Sequence, residues 1–105
     1  MASVLENLEK LVGTPRDGAL LRYSLGLEYL KLGEAQRAIA HLREAVARDP
    51  HYSAAWKALG KALEKENARP DALEVYRHGI EAARRNGDKQ AEKEMTVFAR
   101  RLEKP

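Results

Sequence analysis

Residues 53–86, SAAWKALGKALEKENARPDALEVYRHGIEAARRN, repeat the pattern of residues 19–52, ALLRYSLGLEYLKLGEAQRAIAHLREAVARDPHY, at an offset of 34. Five positions are identical across that offset: Leu25/Leu59, Gly26/Gly60, Lys31/Lys65, Ala38/Ala72 and Arg43/Arg77. The apolar pattern agrees further, matching Tyr29 with Leu63, Ile39 with Leu73, Leu42 with Tyr76, Ala45 with Gly79 and Val46 with Ile80. Apolar residues recur at three- and four-residue steps within each stretch, as the buried face of an amphipathic helix requires. A period of this size marks stacked supersecondary units, none of which can bury its own apolar face alone.

Composition supports an all-α chain. Ala, Leu, Glu, Arg and Lys supply 62 of the 105 residues, whereas Val, Ile and Thr supply 9, so helix formers dominate and strand formers are scarce. Turn and breaker residues cluster at Gly13 to Gly18, at Gly33, at Asp49-Pro50, at Asn67 to Asp71 and at Asn86 to Asp88. They divide one domain of 105 residues into six helices. The first opens on Ser3 and Glu6, the spacing of a capping box, and places Val4, Leu5, Leu8, Leu11 and Val12 on one face. The second and third run near 17–32 and 35–48, separated by Gly33 as a left-handed terminator and closed by Asp49-Pro50. The fourth carries Trp56, Leu59, Gly60 and Leu63, and the fifth opens at Pro70. The last, near 88–103, carries Ala91, Met95, Phe98 and Leu102.

A 34-residue helix-turn-helix unit with a small residue after Leu in its first helix, and Ala followed by Leu or an aromatic in its second, resembles the tetratricopeptide repeat. Trp56, Leu59, Gly60, Leu63, Ala72 and Tyr76 stand at that family's spacing in one unit, and Leu25, Gly26, Tyr29, Ala38, Leu42, Ala45 and Pro50 in the other. The departures are Arg22 in place of the family's Trp, and Gly79 and Arg84 in place of Ala and Pro. The resemblance implies an αα superhelix of antiparallel helices, with residues 1–18 as an N-terminal half repeat, 19–52 and 53–86 as two full repeats and 87–105 as a C-terminal capping helix. Val4, Leu8, Leu11 and Val12 then take the places of Ala38, Leu42, Ala45 and Val46, and the last helix fits a third unit best when shifted by one residue.

Catalytic and metal-binding constellations are missing from the sequence. Cysteine is absent, which excludes disulfides, thiolate nucleophiles and sulfur-ligated zinc. His41, His51 and His78 lie 10 and 27 residues apart, too far for two ligands on one helix turn, and are expected at the surface or against a partner. Glu64/Glu66 and Glu92/Glu94 diverge at two-residue spacing and are expected to be solvated. No phosphate-binding glycine motif or nucleophile elbow occurs, so neither an enzyme nor a cofactor is expected. Residues 1–12 contain Glu6 and Glu9 and read neither as a signal peptide nor as a membrane span, which leaves a cytoplasmic location as the expectation.

The resemblance also implies a concave groove lined by first-helix residues: Leu20, Tyr23, Leu27, Leu30 and Lys31 from the first unit, and Ala54, Lys57, Lys61, Glu64 and Lys65 from the second. Lys57, Lys61 and Lys65 follow at four-residue steps and form a basic stripe beside the apolar Tyr23, Leu27 and Leu30. A protein-interaction scaffold holding an acidic peptide with a hydrophobic anchor fits that surface, with Tyr23, Leu27, Leu30, Lys31, Lys57, Lys61 and Lys65 as contacts. The family's carboxylate clamp does not carry over, because Tyr23, Leu27 and Ala58 occupy its positions. Trp56, Tyr29 and Tyr76 are expected in the core. Two alternatives remain: self-assembly through the open ends of the stack, burying Phe98 and leucines, and nucleic-acid binding through Arg84, Arg85, Arg100, Arg101 and Lys104. A net charge of +3 with interspersed signs gives the latter little support.

Overall fold

The computed structural model describes residues 2–105 and is helical throughout its regular elements. Six helices follow one another: α1 (Val4–Glu9), α2 (Ala19–Lys31), α3 (Ala35–Arg48), α4 (Ser53–Lys65), α5 (Arg69–Asn86) and α6 (Lys89–Glu103). Each packs against the next in sequence, and α2 also touches α4, as α4 touches α6. The odd-numbered α3 and α5 therefore form one side of an elongated stack of 46 × 28 × 19 Å, and α2, α4 and α6 form the other. This is the αα superhelix expected from the repeat.

The turns within the two hairpins are built alike from different residues. Gly33 ends α2 at φ 74° and Asn67 ends α4 at φ 59°, both in the left-handed region that glycine and asparagine tolerate best. In each turn the following N–H reaches back to the helix, from Glu34 to the Tyr29 carbonyl and from Ala68 to the Leu63 carbonyl, both at 2.9 Å. Asparagine at 67 thus replaces glycine with no change in the path of the chain.

Helices pair at glycine. A Cβ placed on Gly26 would lie 2.5 Å from Leu42 Cγ, and one placed on Gly60 would enter the Tyr76 ring. Leu25, Leu42, Leu59 and Tyr76 are fully buried around these crossings, and the Tyr76 hydroxyl donates to Glu64 at 2.5 Å, so the ring is wedged and tethered. Glu64 is therefore engaged and not simply solvated. Gly79 is equally constrained, because a Cβ there would meet Trp56 Cβ at 2.8 Å and the Met95 side chain. The departure from the family's alanine at this position follows from the bulk of Met95.

The ends differ from the expectations. Ser3 caps α1, accepting from the Glu6 N–H at 3.1 Å, but the helix stops at Glu9 and buries no residue, with Val4 61% exposed. Leu11 and Val12 lie in the turns beyond it. Leu5, Leu8, Leu11 and Val12 are nonetheless half-buried against the core, and polar contacts add to them at this end. Tyr29 donates to Glu9 at 2.6 Å, and Arg22 donates to Asp17 through two nitrogens at 2.9 and 3.0 Å. Arg48 donates to the Asp17 carbonyl at 2.6 Å. His41 belongs to this cluster and not to the surface: it stacks on Tyr29 at 5.5 Å and lies 3.3 Å from Arg22. Burial holds its imidazolium form below the usual histidine range.

At the other end, helices α2, α4 and α6 start at 19, 53 and 89, spacings of 34 and then 36 residues, so the last helix is shifted by two residues and not one. Leu59 and Met95, both fully buried, keep the same two-residue shift. Asp88 anchors this register, accepting from the Ala91 N–H at 3.1 Å and from the Ser53 hydroxyl at 3.0 Å. Arg69 donates to the carbonyls of Leu102 and Lys104, each at 3.2 Å, tying down the far end of α6.

Two stability predictions follow. Gly60→Ala gains helix propensity of about 1 kcal/mol but drives a methyl into a wedged ring, so urea unfolding is expected to show a net loss of about 1–3 kcal/mol. The Arg22 guanidinium, bonded to Asp17, holds that carboxyl well below the usual carboxylate range, aided by the Gly13 N–H. The resulting stabilisation is present above the unfolded-state value of about 3.9 and lost as pH falls below it. Asp17→Asn should therefore destabilise the chain at neutral pH, and the gap between variant and parent should narrow in urea titrations at about pH 3.

Candidate functional groove

The candidate groove is the face where α2 meets α4 and α4 meets α6, contacts that place the expected contact residues along neighbouring helices. With the two-residue shift of α6, equivalent positions form short rows across three helices: Tyr23, Lys57 and Lys93, then Leu27, Lys61 and Val97, then Lys31, Lys65 and Arg101. The first helix contributes apolar surface. Tyr23, Leu27 and Leu30 are each half-buried, packed against the core with an open side, and Leu20 is 68% exposed. Tyr23 leans on Tyr52 with ring centroids 5.0 Å apart, which stiffens that wall.

The lysine stripe is not uniform. Lys57 donates to Glu94 at 2.9 Å, and this partner holds the Glu94 carboxyl below its usual range, so the pair is neutral toward a ligand. Lys61 instead sits 4.3 Å from the centre of the Phe98 ring, with Arg101 5.7 Å from the same ring. An aromatic face positions two cations there without neutralising them. Lys65 is exposed and shares a recess of about 280 Å³ with Leu30, at the edge of the groove beside Gly33. Lys31 is exposed and paired with Glu28 at 3.2 Å. Lys31, Lys65 and Arg101 also lie in the last turns of their helices, where a cation is favoured by the helix dipole.

The sequence reading names no groove residue on α6 and so misses Glu94, Phe98 and Arg101, because the contacts of Glu94 and Phe98 with Lys57 and Lys61 join residues far apart in the chain. The signal available for the register of α6 is Asp88, a helix-capping residue type 36 positions after Tyr52. The five basic residues considered for nucleic acid do not converge. Arg84 and Arg85 lie at the end of α5 and pair with Glu81, Arg84 also reaching Glu92 at 3.1 Å, whereas Arg100, Arg101 and Lys104 lie at the opposite end of the α5/α6 hairpin. Glu92 and Glu94 are thus ion-paired while still partly exposed to solvent.

Of the three aromatic residues expected in the core, Trp56 packs at its edge. Tyr29 and Tyr76 are buried, but Trp56 is half-buried, its indole N–H donating to the Pro50 carbonyl at 2.8 Å. Trp56 and Leu59 face away from Lys57, Lys61 and Lys65 on α4, since successive residues turn by about 100°. A recess of about 460 Å³ lies on their side, between α3 and α5.

No helix among the described residues is long and apolar enough to cross a membrane. A tetratricopeptide repeat model matches residues 23–88. A TPR repeat-containing protein of Pseudomonas aeruginosa is 48% identical over 101 residues, which span 96% of each chain. The solution structure of a Bordetella parapertussis protein superposes with a TM-score of 0.81 at 41% identity, covering 97% of this chain and 89% of that one. A tetratricopeptide repeat domain protein of Salinibacter ruber, also solved in solution, gives a TM-score of 0.77 at 36% identity over 85% of this chain and 89% of its own. With the family pattern matched over more than half its length and over both helical hairpins, the chain belongs to the tetratricopeptide repeat family.

Proposed function

We propose that the protein is an interaction scaffold that holds an extended, acidic segment of a partner protein along the face formed by α2, α4 and α6. Membership of the repeat family supports a protein-protein interaction role in general. The observation that carries the specific reading is the pairing of open apolar surface at Tyr23, Leu27 and Leu30 with the cations Lys61 and Arg101, which rest on Phe98. Apolar side chains of the ligand bind the first part, and its carboxylates the second; Lys65 and Lys31 extend the cationic edge and Lys57 serves mainly to hold α6 through Glu94. Affinity then comes from the apolar anchor and orientation from charge.

The self-assembly alternative draws little support from the C-terminal end of the stack. The solvent-facing surface of α6, which includes the row positions Lys93 and Val97, carries Glu92, Lys93, Thr96 and Arg100 around a single exposed large apolar residue, Val97, which is the composition of a solvated terminal helix.

A fluorescein-labelled, end-blocked peptide of alternating leucine and glutamate is a suitable probe. Anisotropy titrations should give saturable binding that weakens with added salt, by the screening of exposed charges. Lys61→Glu with Lys65→Glu should weaken it by at least about tenfold, and Leu27→Asp by a similar factor, whereas Lys57→Gln should change it by less than about threefold. Equal binding by the Lys61/Lys65 double variant would remove the groove assignment.

A further inference from the structure

The recess between α3 and α5 is lined by different chemistry from the equivalent place one repeat earlier, between α1 and α3, although the backbone repeats. One repeat earlier, Arg22 stands in the place of Trp56, His41 in that of Val75 and Glu9 in that of Arg43. Those three side chains cluster there with Asp17: Arg22 bonds Asp17 and lies 3.3 Å from His41, and Glu9, which accepts from Tyr29, lies 3.9 Å from the His41 ring. In the second hairpin the same place is apolar and open, floored by the buried Val46, Leu59 and Val75 and by the half-buried Trp56. The His78 ring covers one flank of the indole at 5.3 Å, and a smaller recess of about 200 Å³ continues past Trp56 and His78 toward Glu81.

Charge defines what the open notch accepts. Its α5 wall carries Asp71 and Glu74, one helical turn apart, and Glu81 further along. Glu81 is held by Arg84 and Arg85, and Glu74 has a neighbouring cation only when His78, 3.9 Å away, is protonated. Asp71 and Glu74 therefore present negative charge beside an apolar floor, with Arg43 on the far wall as a donor for a peptide's carbonyl oxygens. About 460 Å³ is room for one or two side chains, within the range of about 300–1,000 Å³ typical of ligand pockets.

We propose that this notch is a second binding site, independent of the groove, which takes a basic peptide segment: a branched aliphatic side chain set on Trp56, and an adjacent arginine or lysine paired with Asp71 and Glu74. The two faces of α4 then select opposite ligands, acidic on the lysine side and basic on the tryptophan side. One scaffold of this size joins two different partners, or two segments of one.

Trp56 is the only tryptophan in the chain, so its emission reports on the notch alone. The probe is an end-blocked peptide of alternating leucine and arginine, titrated into the full chain, with the same peptide carrying glutamate for arginine as the comparison. The expected result is a saturable emission shift with the leucine-arginine peptide and none with the leucine-glutamate peptide. Asp71→Asn with Glu74→Gln should weaken that binding by at least about tenfold, and Lys61→Glu with Lys65→Glu should leave it unchanged, which separates this site from the groove. The two carboxylates are exposed, and circular dichroism of the variants checks that the helices persist. Absence of a saturable shift up to millimolar peptide, an equal response to both peptides, or loss of binding in the groove variant would each overturn the proposal. Trp56 emission that changes with protein concentration alone, accompanied by sedimentation as a dimer, would assign the notch to a second copy, through its Lys93, Val97 and Arg100, and overturn it as well.

Discussion

The distance between paired helices is set at two glycines, and everything that follows depends on it. At Gly26 and Gly60 the facing side chain, Leu42 or Tyr76, occupies the space a Cβ would need. Two helices that approach this closely interlock ridge into groove and act as one rigid hairpin. Stacking the hairpins then brings α2, α4 and α6 side by side, and only that arrangement turns scattered residues at four-residue steps into a continuous surface. A methyl group at either crossing acts on the groove through the hairpin, well away from any ligand.

The repeat also explains why the two sides of the molecule differ chemically. Helix α4 is sandwiched between α3 and α5 on its apolar side, while its opposite side is left to Lys57, Lys61 and Lys65. Because both hairpins share one backbone, the substitutions between them decide what each region does. Arg22 brings Asp17 and His41 into a self-satisfied cluster that closes the N-terminal end, whereas Trp56 in the same position leaves a notch. Asp88 and Arg69 hold α6 at both ends, and this completes the groove with Phe98 and Arg101.

Much of this was legible in the residues alone. The period of 34, the six helices, Gly33 as a left-handed terminator and the close crossings at Gly26 and Gly60 are local or periodic signals, and each has one structural solution. What escaped was long-range. The ion cluster of Glu9, Asp17, Arg22 and His41 joins residues up to 32 positions apart. The register of α6 depends on two extra residues before Asp88, which weaken an alignment by spacing, and the pairing of Lys57 with Glu94 joins residues far apart in the chain. Three lysines at equal spacing look equivalent in a sequence, yet one is neutralised, one is set on an aromatic ring and one is free in solvent.

The proposed binding of an acidic segment on the face formed by α2, α4 and α6 is open to a direct test by amide chemical shifts, recorded while the leucine-glutamate peptide is titrated into isotopically labelled protein. Perturbations are expected at Tyr23, Leu27, Leu30, Lys61, Lys65 and Arg101, with the α3 and α5 amides beside the notch unmoved. Perturbations centred on Trp56 and His78, or none across α2, α4 and α6 at saturating peptide, would contradict the proposal.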